Sequence, residues 1–207
     1  MHTTLLSTAY LAPVQYYWHW RRSDLIFVEA CEHYVKQTWR NRCMIGTANG
    51  PMVLSLPVEG NSDKTFIKDV RLSSHGNWQH LHWNGIKSAY NSSPFFEYYQ
   101  DDLRPFFEKK PNFLFDFNEG IREKILELLN IETPSELTIA YAPEGKVPND
   151  WIDLRNIIHP KKMTALVDPE FLPKPYYQVF DRKFGFQPNL SILDLLFNMG
   201  PEAILYL

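Results

Sequence analysis

The chain has 207 residues, 44% of them hydrophobic, enough to bury a full core in one domain without a partner. Its 21 basic and 24 acidic residues leave a formal charge of -3, which argues against a nucleic-acid partner and leaves local clusters of positive charge as the electrostatic clue. Two cysteines, Cys31 and Cys43, make no disulfide framework and no metal site, and without a signal peptide or any run near the ~20 apolar residues of a membrane span the expected location is the cytoplasm.

Residues 4–10 read as a strand, 11–13 as a proline-containing turn, 14–22 as a helix with Pro13 at its start, and 25–30 as a second strand. Strand, helix and strand at this spacing predict a parallel crossover unit. Ligands gather at the carboxyl ends of such strands, which points to Tyr10 and Pro13 and to the acidic Glu29 and Glu32. Residues 34–58 follow as Tyr34, a cluster of Lys36, Trp39, Arg40, Asn41 and Arg42, and a hairpin with Asn49-Gly50 at its turn. The hairpin is expected to hold the cluster at one end, either as a binding surface or as a solvated cationic face.

Beyond a polar loop at 59–65, residues 66–72 alternate like a strand. Residues 77–91 form a helix whose apolar side carries Trp78, His82, Ile86 and Tyr90, and a histidine there is more often a satisfied core residue than a catalytic one. Ser93-Pro94 starts an aromatic helix reaching about Pro105, and Asp116 to Glu119 has the spacing of a capping box for a helix ending near Asn130. Residues 137–141 read as a strand. The proline-broken stretch 142–188 is too apolar for a tail and is expected to pack on the body as an ordered arm, with Arg155, His159, Lys161 and Lys162 as a second basic group. Ser191 caps a closing helix that Gly200-Pro201 ends. The organisation expected is an α/β body over 1–141, a Rossmann-like mixed sheet flanked by helices, with 142–207 as wrapping arm and closing helix of the same domain.

Nucleotide-binding glycine loops, a Gly-x-Ser-x-Gly elbow and His-Glu-x-x-His or Cys-x-x-Cys metal patterns are all missing, and no cofactor is assigned. Cys43 is expected to be a buried structural thiol.

Several stretches together resemble the WbqC-like proteins. They are Tyr10-Leu11-Ala12-Pro13, Tyr34 with Trp39-Arg40-Asn41-Arg42, Trp78 with His82, and Tyr90-Asn91-Ser92-Ser93-Pro94. Further on are Asp153-Leu154-Arg155 with His159-Pro160-Lys161, Tyr176-Tyr177-Gln178, and Asn189 through Asn198. One departure stands out: the family commonly has Gln-Pro shortly before its Tyr-Leu-Pro, where this chain has Ser7-Thr8-Ala9. The resemblance implies a role in bacterial surface polysaccharide synthesis, with transfer of glycine or another acyl group to an amino sugar as one activity. On that reading His82 is the base, Arg42 and Asn41 stabilise the oxyanion or hold an acyl carboxylate, and Lys36, Arg155 and Lys161 take the diphosphate of a nucleotide-sugar. Tyr10, Pro13, Tyr34, Trp39 and His159 complete the expected binding residues. Nucleotidyl transfer and a non-catalytic glycan- or nucleotide-binding module are the alternatives, and the aromatic surface is also compatible with a homo-oligomer.

Overall fold

The structure is a computed structural model that describes residues 2–60, 64–160 and 168–207. Its opening is Thr3–Ser7 (β1), Val14–Arg22 (α1) and Leu25–Glu29 (β2), with β1 and β2 parallel. Pro13 sits at the N-cap of α1, where its missing N–H costs nothing. The first strand is shorter than its apolar sequence predicts, because the chain bends at Leu11, which has a φ of 43°, and sends Tyr10 inward instead of along the sheet.

Arg42–Thr47 (β3) and Gly50–Ser55 (β4) form the hairpin, antiparallel and separate from the main sheet. Its two-residue loop is Ala48-Asn49, with Thr47 opposite Gly50, and Gly50 supplies the positive φ of 97°. The predicted strand at 66–72 is instead a 3-10 turn, Ile67–Asp69. Ile67 and Val70, three residues apart, are both buried, a spacing that suits a helical turn better than a strand.

Helices follow at Trp78–Tyr90 (α2), Phe96–Leu103 (α3), Pro105–Glu108 (α4) and Leu114–Leu128 (α5). α5 starts before the expected capping box, so Asn118 and Glu119 lie inside it and are free to serve elsewhere. Ser135–Leu137 (β5) then pairs with β2, earlier than predicted, and Leu137, Ile139 and Tyr141 are exposed. Trp151–Asp153 (β6), inside the supposedly irregular arm, pairs with the free side of β1. Asp181–Phe184 (α6) and Ile192–Met199 (α7) close the series, and the chain continues past Gly200 as a 3-10 turn.

The α/β class holds, with the strands sorted into a parallel sheet of order β5-β2-β1-β6 and the antiparallel hairpin. Thr4, Leu6, Ile26 and Val28, alternate residues of β1 and β2, are all buried. Their apolar members join one continuous core with α1, α2, α5 and α7. Among the described residues no helix is long and apolar enough to cross a membrane.

Candidate functional site

The chain runs from β1 to β2 to β5 in one direction, then crosses to the opposite side of β1 to lay down β6. The strand order therefore reverses between β1 and β6. In open parallel sheets the loops part at such a point and leave a crevice at the carboxyl ends of the strands. A narrow crevice lies there, walled by Ser7, Thr8 and Ala9 after β1, by Leu154, Arg155 and Ile158 after β6, and by Tyr16, Trp39 and Arg40. Its free space is about 10 Å³, roughly one water position.

Two buried arginines, Arg40 and Arg155, line this space. Arg40 is gripped by Glu32, through Nε to Oε1 at 2.8 Å and Nη2 to Oε2, and Nη2 also donates to Ser7 Oγ at 2.7 Å. Arg155 donates to both carboxylate oxygens of Asp153, at 2.9 and 2.6 Å, and through Nη1 to Glu29 at 2.9 Å. Glu29 has no exposed surface and also accepts from Thr138 Oγ1 and the Cys31 N–H. Forks of this kind fix the guanidinium plane as well as its charge. Both arginines are thus held rigid, and breaking one partner of such a pair leaves an uncompensated buried charge.

A third group lies against the crevice on the side of α1 and α5. Thr8 Oγ1 donates to Glu119 at 2.8 Å, and Glu119 pairs with Arg122 at 2.6 Å. Arg122 also lies over the Trp20 ring, 4.8 Å from its centroid. Burial raises Glu119 above the usual carboxylate range, while Arg122 and Thr8 pull the other way. Tyr16, which packs on Trp20, is 3% exposed, and its hydroxyl has no hydrogen-bond partner among the described residues.

Of the residues singled out in the sequence, Trp39, Arg40 and Arg155 line the crevice, and Glu29 and Glu32 are the counter-ions of the two arginines. Ser7 and Thr8, where the chain departs from the family pattern, line it too. His82 lies elsewhere, inside the core. Its Nδ1 meets the Tyr10 hydroxyl at 2.8 Å, the ring also bonds the Ser55 carbonyl, and Trp78 packs at 5.4 Å. Burial lowers its pKa to about 4, so it is neutral, with the Tyr10 O–H donating to it.

Tyr10 has no exposed surface, and its backbone N–H donates to Trp39 C=O, tying this inner pair to the crevice wall. Asn41 is buried and bonds the Leu56 carbonyl at 3.3 Å, bracing the hairpin. Tyr34 is buried, Arg42 half-buried and Lys36 exposed, and Pro13 is bridged to Ser191 at the start of α7. His159 is half-buried beyond the crevice, and Lys161 lies outside the described residues.

In the sequence Tyr16 has no assigned role, Glu119 reads only as part of a capping box and Asp153 only as part of a family motif. Tyr16 reads as one more aromatic on a buried helix face, and only the chain crossing that sets Thr8 beside Glu119 shows that residue's second use. A larger cleft, about 560 Å³, lies between α4 and α5, but its Lys109, Lys110 and Asp116 are exposed to solvent, whereas the crevice concentrates buried charge. Among the described residues no group of His, Cys, Asp and Glu is arranged to hold a metal ion.

Residues 8–165 match the model of the WbqC-like protein family. The chain is also similar to the uncharacterized protein Rv1507c of Mycobacterium tuberculosis, with 29% identity over 198 residues covering 84% of this chain and 83% of the relative. No solved structure matches.

Proposed function

Because the chain belongs to the WbqC-like protein family, we propose that it transfers an acyl or aminoacyl group, glycine among the candidates, to an amino sugar or nucleotide-sugar in bacterial surface polysaccharide synthesis. The crevice between β1 and β6 is the reaction site in this reading. The observation that supports it best is the pair of rigid guanidiniums, Arg40 and Arg155, at the reversal of strand order.

In acyl transfer the sugar nitrogen attacks the acyl carbonyl, a C–N bond forms, the bond to the donor's leaving group breaks, and nitrogen loses a proton. The negative charge that develops on the carbonyl oxygen calls for donors already fixed in place, which is the role assigned to Arg40 and Arg155. Glu119, raised by its burial, is assigned the proton. Trp39 lines the crevice and is assigned to the wall against the substrate, and Tyr34 is assigned to binding outside it. Arg42, Asn41 and Lys36, together with His159 and Lys161, are assigned to the nucleotide phosphates. His82 is a positioning residue that fixes Tyr10 and, through it, the chain at Trp39.

Binding without turnover is the second reading, favoured by the engagement of both guanidiniums with carboxylates. A thermal-shift screen of wild type and Arg155→Lys against nucleotide-amino sugars, coenzyme A thioesters, glycine and nucleoside triphosphates with magnesium separates the cases. The transferase reading expects a nucleotide-amino sugar to raise the melting temperature by several degrees in wild type and much less in Arg155→Lys, with an N-acylated product by mass spectrometry. A shift without product supports the binding module. A shift with triphosphate alone, or with none of these, removes the transferase reading.

A further inference from the structure

The Tyr16 hydroxyl lacks the protein partner that its burial calls for. A tyrosine buried to this degree, at 3% exposure, almost always bonds its O–H to protein or water, because stripping a hydroxyl of water without replacing the bond costs free energy. The hydroxyl of Tyr10, six residues earlier, follows that rule at 2.8 Å from His82. The hydroxyl of Tyr16 has no partner among the described residues, and Tyr16 lines the crevice with Thr8, Arg40 and Arg155.

The neighbouring polar atoms narrow what would satisfy it. Thr8 gives its proton to Glu119, and Ser7 gives its own to Glu32 at 3.3 Å while accepting from Arg40. The donors that line the space belong to Arg40 and Arg155, Tyr16 adds its O–H, and Glu119, the carboxylate that acts most on that hydroxyl, is already paired with Arg122 and accepts from Thr8. The rigidity of both forks and the size of the space, about 10 Å³, admit the end of a molecule and no more.

We propose that Tyr16 is a substrate-contacting residue whose O–H donates to a single small oxygen acceptor, the carbonyl or carboxylate oxygen at the end of a ligand, seated between Arg40 and Arg155. The ligand enters by this group alone, with its remaining atoms outside the crevice. Bulky or branched acyl ends are excluded, because the guanidiniums cannot part without breaking their ion pairs. The inference rests on the crevice being the functional site and is independent of the reaction assigned to it.

The test uses the full chain, wild type and Tyr16→Phe, with acetate, acetamide, methylammonium and pivalate as probes, followed by NMR titration and by melting temperature without ligand. Tyr16→Phe removes only the unpartnered oxygen, so it should melt within about one or two degrees of wild type, or higher. Wild type should bind acetate or acetamide in preference to methylammonium and pivalate, and Tyr16→Phe should bind them about tenfold more weakly, the usual worth of one such hydrogen bond. Binding of acetate alone identifies a carboxylate ligand, and comparable binding of acetamide identifies a carbonyl.

Four results overturn the proposal. They are a fall of many degrees in the melting temperature of Tyr16→Phe, equal affinity of the two proteins, binding of methylammonium or pivalate as tight as that of acetate, and no binding of acetate or acetamide to wild type. Failure of the nucleotide-sugar screen with Tyr16-dependent acetate binding would reject the transferase reading and leave this one intact.

Discussion

Two tyrosines on one short stretch show how a hydroxyl's surroundings decide its work. Tyr10 and Tyr16 are both buried aromatics of the core, yet one is bonded within the fold and the other is not. Replacing Tyr10 by phenylalanine should strand the acceptor nitrogen of His82 in a dry interior. The expected loss is about 1–3 kcal/mol of stability by denaturant titration, where Tyr16→Phe loses nothing of that size. Equal costs for the two would mean that His82 finds another donor and that the inner pair is dispensable. The same contrast applies to the cysteines, since Cys43 is buried among core residues, where burial pushes its thiol up, whereas Cys31 is half-buried at the end of β2 and donates to the Thr138 carbonyl.

Elements in this fold are joined by single side chains that bridge distant stretches. The arm is fastened to α7 by Tyr176 and Gln178, which donate to the buried Asp194 carboxylate at 2.8 and 2.7 Å. The last turn of α7 depends on Gly200, whose φ is +54° and where an added Cβ would stand 2.5 Å from the Phe95 ring. Gly200→Ala should therefore cost about 2–4 kcal/mol, the sum of backbone strain and overpacking, seen as a lower midpoint in urea. Adding Phe95→Leu should return only the overpacking share, and full recovery would show that the backbone angle carries no strain.

The sequence disclosed those elements whose local pattern and packing agree. α1 has its proline start, α2 its apolar stripe, and α7 its serine cap, where Ser191 Oγ accepts from Leu193 N–H. β6 was hidden because three residues among prolines carry no periodicity of their own and become a strand only through β1. Residues 137–141 alternate convincingly yet mostly leave the sheet, since alternation records which side is apolar and not whether a neighbour exists to pair with. At the candidate site the strand-end rule reached Glu29 and Glu32, and the basic cluster held Trp39 and Arg40. Their convergence depends on contacts such as Arg155 with Glu29, 126 residues apart, which local spacing cannot reveal.

At the scale of the whole molecule, two buried groups pull acid stability in opposite directions. His82 titrates near 4 when folded and 6.5 when free, so the unfolded chain binds more protons between those values and stability falls as pH drops through them. Asp194 titrates near 6 when folded and 3.8 when free, because burial outweighs its three hydrogen bonds. The folded chain then binds more protons over that range, and stability rises as pH drops. Each contribution is about 3 kcal/mol over its range. The two nearly cancel from pH 4 to 6, so removing either should tilt the stability profile measured by urea denaturation relative to wild type. Asp194→Asn should lose stability on acidification and His82→Gln should gain it; parallel profiles for the three proteins would refute the opposition.

The place of β1 in the sheet also governs how the molecule can be made. β1 lies between β2, which follows after one helix, and β6, whose Trp151 pairs with Thr3. A ribosome adding roughly 5–20 residues per second delivers β6 some 7–30 s after β1. During that interval the parallel pair β1 and β2 has an open edge, exposing Thr3 to Leu5 to any extended strand nearby. Arg155 is delivered later still, so Glu29 must await its guanidinium in a solvated, unfinished sheet. Nascent chains stalled before β6 should therefore recruit chaperones, and the crevice is among the last features to exist in each newly made molecule.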